Sequence, residues 1–232
     1  MKRRATNSKG LKLHLGCGSF VVPGWENVDK SWGVLLARVP GLRKALAGFR
    51  VLTPEQAVAR FPKGIVRADV RGGLPYLNEA ASVVYTSHMI EHMPRWQALE
   101  LLAECRRVLE PGGAIRIATP DLRALIEEYA HGETRYGETP ADSLMKQLET
   151  FRDEPGSVVQ RLSRRLLTAP HQWVYDEQSL SLLLEEAGFT NVQRRGFLES
   201  DIEGIEALEL RDESLFVEAT NPSPSAQRPD GR

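Results

Sequence analysis

Short apolar runs alternate with segments of helical period along most of this chain. That is the pattern of a mostly parallel sheet covered on both faces. Five runs read as successive strands: Leu11 to Leu15, Trp25 to Asp29, Gly64 to Ala68, Ser82 to Thr86, and Ala114 to Thr119. The last is announced by the turn Glu110-Pro111-Gly112-Gly113. Asn191 to Phe197 and Leu215 to Thr220 form a closing pair, giving seven strands. Between them, Trp96 to Leu109 carries Leu99, Leu102 and Leu109 at helical spacing, with Pro94 near its start. Asp121 is placed to cap a helix running to about Ala130. Asp176 starts another, with Leu180, Leu183, Leu184 and Ala187 on one face and Gly188 as its stop. The expected fold is therefore α/β: a Rossmann-like, doubly wound, seven-stranded sheet.

Two stretches exceed simple connections, residues 30–63 after the second strand and 132–173 after the fifth. In an open α/β sheet ligands bind beyond the carboxyl ends of the strands, and both insertions leave from that edge. They are expected to be helical and to cover the active site. Gly33 to Phe49 mixes apolar residues with Arg38, Arg43 and Lys44, which suits packing over the site or touching a membrane or lipid-linked substrate. Residues 1–9 and 221–232 are polar or rich in Pro and Ser and read as disordered ends flanking one domain, 10–220.

Composition narrows the function classes. With 232 residues the chain can bury one substantial core without disulfides. A net charge of −1 argues against a nucleic-acid partner, since phosphate neutralisation leaves a Lys/Arg excess. Two cysteines in unrelated contexts fit a reduced, cytoplasmic setting. No apolar run approaches a membrane span, so no stable membrane insertion is expected.

The chemistry concentrates at strand ends. Gly16 and Gly18 follow the first strand directly, where glycine lets the backbone turn sharply and approach a ligand. A dinucleotide fingerprint would continue with a third small residue and a phosphate-binding helix. Here Val21, Pro23 and Gly24 intervene and the second strand begins near Trp25, which leaves little room for that helix. A ligand without phosphate is favoured over NAD. Asp29 is placed to accept hydrogen bonds from both hydroxyls of a ribose, and Asp69, after the third strand, from an adenine amino group.

Leu13-His14-Leu15-Gly16-Cys17-Gly18 followed by Pro23-Gly24-Trp25-Glu26-Asn27-Val28-Asp29 resembles the opening of class I S-adenosylmethionine-dependent methyltransferases. Ala68-Asp69-Val70, Ser87-His88-Met89-Ile90-Glu91-His92, Arg107-Val108-Leu109-Glu110-Pro111-Gly112-Gly113 and Thr119-Pro120-Asp121-Leu122 continue the resemblance. It extends through His171-Gln172-Trp173-Val174-Tyr175-Asp176 to the Leu215 to Ala219 ending, and is similar to a type 11-like bacterial branch often linked to polysaccharide or secondary pathways. It implies S-adenosylmethionine as cofactor, held by Gly16, Cys17, Gly18, Asp29, Asp69 and Val70, with Ser87 and His88 lining the methionine side. The acceptor it implies is a small molecule, with a saccharide or glycan precursor leading. A non-catalytic S-adenosylmethionine-binding or scaffold protein with the same fold is the alternative, separated only by turnover.

His88, His92 and His171 are the candidates to remove a proton from a hydroxyl acceptor, because histidine titrates near neutrality. Trp173 and Tyr175 suit the walls of a ring-binding pocket or the core. His88-Met89-Ile90-Glu91-His92 also matches the H-x-x-E-H pattern of inverted zinc peptidases. That chemistry needs both histidines on one face of a continuous helix, and Pro94 biases Met93 away from helix. No metal is expected from that pattern.

Overall fold

A computed structural model describes residues 10–30, 62, 64–135, 137, 139–150 and 170–223. Seven strands form one sheet: β1 Leu11–Leu15, β2 Glu26–Asp29, β3 Val66–Arg67, β4 Ala81–Ser87, β5 Leu109–Pro120, β6 Thr190–Arg195 and β7 Ser214–Thr220. Their order is β3-β2-β1-β4-β5-β7-β6. All neighbours are parallel except at β7, which runs antiparallel to both β5 and β6. The order reverses between β1 and β4, so the switch point, where such sheets bind ligands, lies at the ends of those two strands. This is the Rossmann-like sheet expected from the alternation of apolar runs.

Among the described residues four helices accompany the strands: α1 Arg95–Val108, α2 Leu122–Ala130, α3 Pro140–Leu148 and α4 Glu177–Glu186. Each begins for a local reason. Pro94 fixes the entry of α1. The Asp121 carboxylate accepts from the Arg123 and Ala124 amides at the start of α2. Asp176 forms a reciprocal capping box with Ser179 on α4. Gly188, at φ +88°, ends that helix in the left-handed region glycine favours. Ala98, Leu101, Leu102, Cys105 and Val108 of α1 and Leu180, Leu183 and Leu184 of α4 bury one face of the sheet.

The other face is covered by irregular chain. Ile202, Ile205 and Leu208, between β6 and β7, pack on Val22, Trp25 and Tyr85. Arg116 of β5, fully buried, fastens that segment: its guanidinium donates to the Glu209 carboxylate, to Glu218 at 2.8 Å, and to the Gly196 and Glu199 carbonyls at 2.9 and 3.0 Å.

Two expectations are adjusted. The third strand keeps only Val66–Arg67 of Gly64 to Ala68, because Asp69 at once caps a 3-10 turn over Val70–Gly72. Order extends past residue 220: Asn221 is buried, its amide nitrogen donating to the Leu109 carbonyl at 2.8 Å and its main-chain N–H to Gly113 at 2.9 Å. The 132–173 insertion contributes α3, capped by Thr139. Residues 31–61, which hold the basic amphipathic stretch, all of 151–169, and both chain ends fall outside the described residues. No described helix is long and apolar enough to cross a membrane.

Candidate active site

The loop after β1 is built by hydrogen bonding rather than by a helix; none of residues 16–25, all described, is helical. Gly16 and Cys17 both donate their amides to the Val28 carbonyl, at 2.8 and 3.3 Å. The buried Asn27 amide holds the far limb, accepting from Val22 N and donating to the Val22 and Trp25 carbonyls. Gly16 has φ +70°, and a Cβ there would lie 2.6 Å from Met89 Sδ, so this turn admits no side chain. The Asp29 carboxylate accepts from Gly18 N at 2.9 Å, joining the ends of the first two strands. Burial, reinforced by the Asp29 charge, pushes the Cys17 thiol up to about 12.

Two clefts open at the switch point and share a wall. The first, about 190 Å³, is lined by His14, Gly16, Cys17, Phe20, Ser87 and His88 among others. The second, about 320 Å³, is lined by His88, His92, Asp121, Gln147, Glu149 and His171, with Arg135 on its rim. His88, Arg211 and Ser214 belong to both. His88 stands at φ +48°, a conformation costly for any residue with a side chain. It is held there by its amide, which donates to the Ala118 carbonyl at 2.9 Å, and by a ring contact of 3.0 Å between Nε2 and Ser214 Oγ.

Gly16, Cys17, Ser87 and His88 thus come together in the first cleft, and Gly18 and Asp29 adjoin it through their mutual hydrogen bond. Asp69 and Val70 line neither cleft. Val70 is buried in the core, and Asp69 is gripped by the Arg71 guanidinium at 2.9 Å and by Lys30 at 3.2 Å. The Arg71 guanidinium holds that carboxyl well below the usual carboxylate range. Tyr175 is fully buried and Trp173 is largely exposed; neither forms a wall of these clefts.

The second cleft gathers His88, His92 and His171, all three histidines singled out from the sequence. Behind these histidines lies a residue passed over as part of a motif, Glu91, whose side chain is completely buried and lines neither cleft. Its Oε2 accepts from Thr119 Oγ1 at 3.4 Å, and its Oε1 lies 3.3 Å from His88 Nδ1 and 3.9 Å from His171 Nε2. A signal existed: an acid between Ile90 and Met93, both core residues, is unusual. Burial lowers the pKa of His171, so its imidazole favours the neutral form. Arg211 and Glu149 carry no comparable sequence signal, because only the tertiary fold brings them to the site.

A protein-family model described as a methyltransferase domain matches residues 31–194. The match spans more than half of the sequence, and the chain belongs to this methyltransferase domain family. The glycine loop and Asp29 precede the matched region. A curated relative from Mycolicibacterium smegmatis, named a probable S-adenosylmethionine-dependent methyltransferase, is 35% identical over 63 residues, which cover 27% of this chain and 24% of that protein. The solved structure of the S-adenosylmethionine-dependent methyltransferase SibL aligns with 94% of this chain and 52% of its own, at 18% identity and a TM-score of 0.47. Human N-acetylserotonin methyltransferase, solved in complex with SAM, aligns with 93% of this chain and 48% of its own, at 14% identity and a TM-score of 0.43. The chain therefore spans about half the length of these solved structures, and similarities at this level carry no functional weight.

Proposed function

We propose that the protein is an S-adenosylmethionine-dependent methyltransferase acting on a small hydroxylated acceptor, a saccharide or glycan precursor in the first instance. The observation that carries this reading is the pair of clefts sharing His88, Arg211 and Ser214 at the switch point of the sheet. One cleft adjoins the glycine loop and suits a cofactor without phosphate, since residues 16–25 do not themselves open a helix. When bound, S-adenosylmethionine supplies a methyl group activated on a sulfonium sulfur. Gly16, Cys17 and Gly18 offer it bare main chain, the Asp29 carboxylate faces the ribose, and Ser87 and His88 flank the methionine portion. Asp69 reaches the adenine only by giving up Lys30 or Arg71.

The second cleft holds the acceptor. Asp121, Gln147, Glu149 and Ser214 present it with polar atoms, as a hydroxyl-rich ring requires. His88 is the group assigned to orient the reacting hydroxyl, because it alone among the histidines borders both clefts. His92 and His171 line the acceptor side only. Bringing the two reactants to one wall and excluding water is the enzyme's main contribution. The reduced cytoplasmic setting belongs to this reading and is supported by two buried, free cysteines.

Calorimetric titration with S-adenosylmethionine tests the assignment. Asp29→Ala is expected to bind at least about tenfold more weakly, a loss of about 1.4 kcal/mol. Unchanged affinity removes Asp29 from the site. Turnover to S-adenosylhomocysteine with a panel of saccharide acceptors then separates an enzyme from a protein that only binds the cofactor.

A further inference from the structure

The 3-10 turn Ile90–His92 and the chain entering α4 are clamped together by main-chain hydrogen bonds. The Glu91 carbonyl accepts from Gln172 N at 2.7 Å and from Trp173 N at 3.1 Å, and the Gln172 side chain donates to the His92 carbonyl at 2.9 Å. The clamp sets His171 beside His92, their ring centroids 4.8 Å apart, and points both toward the buried Glu91 carboxylate. One ligand atom from each of Glu91, His92 and His171 lies within 4.8 Å of the others.

Three features separate this cluster from a chance meeting of polar groups. Glu91 Oε1 is fully buried and makes no hydrogen bond, with His88 Nδ1 and His171 Nε2 standing 3.3 and 3.9 Å away, and a buried carboxylate oxygen short of a hydrogen bond is expensive. His171 Nδ1 contacts the Leu148 carbonyl at 2.9 Å, which makes Nδ1 the protonated nitrogen and leaves Nε2, on the Glu91 side, with a free lone pair. A ligand histidine is usually held this way, its second nitrogen donating to a carbonyl. His92 Nδ1 is likewise turned to a carbonyl, that of Pro170, at 3.4 Å. The Glu149 carboxylate stands 3.9 Å from His171 Nε2 at the mouth of the cluster.

We propose that Glu91, His92 and His171 form a binding site for a divalent transition-metal cation, with Glu149 as an outer ligand. Two imidazoles and a carboxylate are the donors of zinc and of iron(II) sites with open positions; magnesium and calcium prefer all-oxygen shells. Bonds of about 2.0–2.2 Å bring tetrahedral ligands roughly 3.5 Å apart, so binding draws the cluster together slightly. His92, the half-buried member, has the freedom to do this. The H-x-x-E-H pattern thus supplies only its last two residues to the site. His88, its first, has Nε2 on Ser214 Oγ and Nδ1 3.3 Å from Glu91 Oε1, and stands outside the three clustered ligands. The cation site goes beyond the methyl-transfer reading and stands or falls without it.

Untagged full-length protein, freed of metal by chelator, is titrated with Co²⁺ while visible absorption is recorded, and with Zn²⁺ in a calorimeter. The expected result is one equivalent bound with a Kd below about 10 μM, with ligand-field bands that Zn²⁺ displaces. His92→Gln and His171→Gln are each expected to weaken binding at least about tenfold, with circular dichroism unchanged. His92 is partly exposed, so its variant reports on the site even if a change at His171 perturbs folding. Absence of binding at about 100 μM metal, or equal affinity in His92→Gln, overturns the proposal. S-adenosylmethionine affinity measured on the same samples keeps this outcome distinct from failure of the methyltransferase assignment.

Discussion

Among the described residues two glutamates are buried with almost no solvent contact, and they are treated in opposite ways. Glu209, between β6 and β7, meets the Arg116 guanidinium with both oxygens, and its Oε2 also accepts the Leu198 amide at 2.7 Å. Glu91, at the end of β4, has one oxygen on Thr119 and the other without a hydrogen bond. The first arrangement neutralises a charge inside the fold. The second leaves a carboxylate oxygen short of a hydrogen bond behind the histidines that line the cleft. A satisfied buried ion pair is a fastening; an unsatisfied buried carboxylate marks a place built for a ligand.

The sharpest way to break this contrast is to remove one partner from the fastened pair. Arg116→Met leaves Glu209 buried without its cation and is expected to cost about 3–5 kcal/mol, read as a lower midpoint in urea denaturation. A midpoint within experimental scatter of the parent would mean that the segment covering the sheet is held by its apolar contacts alone. Glu91→Gln should behave differently. It removes charge from an oxygen that makes no hydrogen bond, so stability is expected to change by less than about 1 kcal/mol while Co²⁺ affinity drops at least about tenfold. Equal destabilisation by the two substitutions would erase the distinction between fastening and site.

The smallest effect is expected at a third carboxylate, Asp69, whose ion pairs with Arg71 and Lys30 are close to half exposed. Its folded pKa is depressed, chiefly by the Arg71 side chain. Its contribution is therefore fully present above the unfolded value of about 3.9 and is lost as pH falls toward the folded value. Solvent screening keeps that contribution under about 1 kcal/mol. Asp69→Asn should narrow the difference in stability between pH 6 and pH 3 by no more than this, as followed by thermal melts at the two pH values.

Elements governed by neighbouring residues were legible in the sequence. β1 lies at Leu11–Leu15 as the apolar run indicates, and α2 and α4 begin after Asp121 and Asp176 because an N-cap acts within three residues. The absent phosphate-binding helix followed from the few residues between Gly18 and Trp25. The third strand was overestimated because an apolar run does not reveal that Asp69 will turn the chain. Trp173 suits either a ring-binding wall or the core by its residue type, yet it is neither, because aromatic character alone does not say which way a side chain faces.

The sequence by itself determined the sheet, its helices and the glycine turn that opens the candidate cofactor cleft, since strand alternation, capping and turn chemistry are short-range. Only the tertiary structure decided that His171 would meet Glu91 and His92, that Arg116 would find Glu209, and that His88 would border both clefts. Those meetings join residues far apart in the chain. Their free energy comes from burial and charge pairing that exist only once the sheet has closed, so no local pattern can encode them.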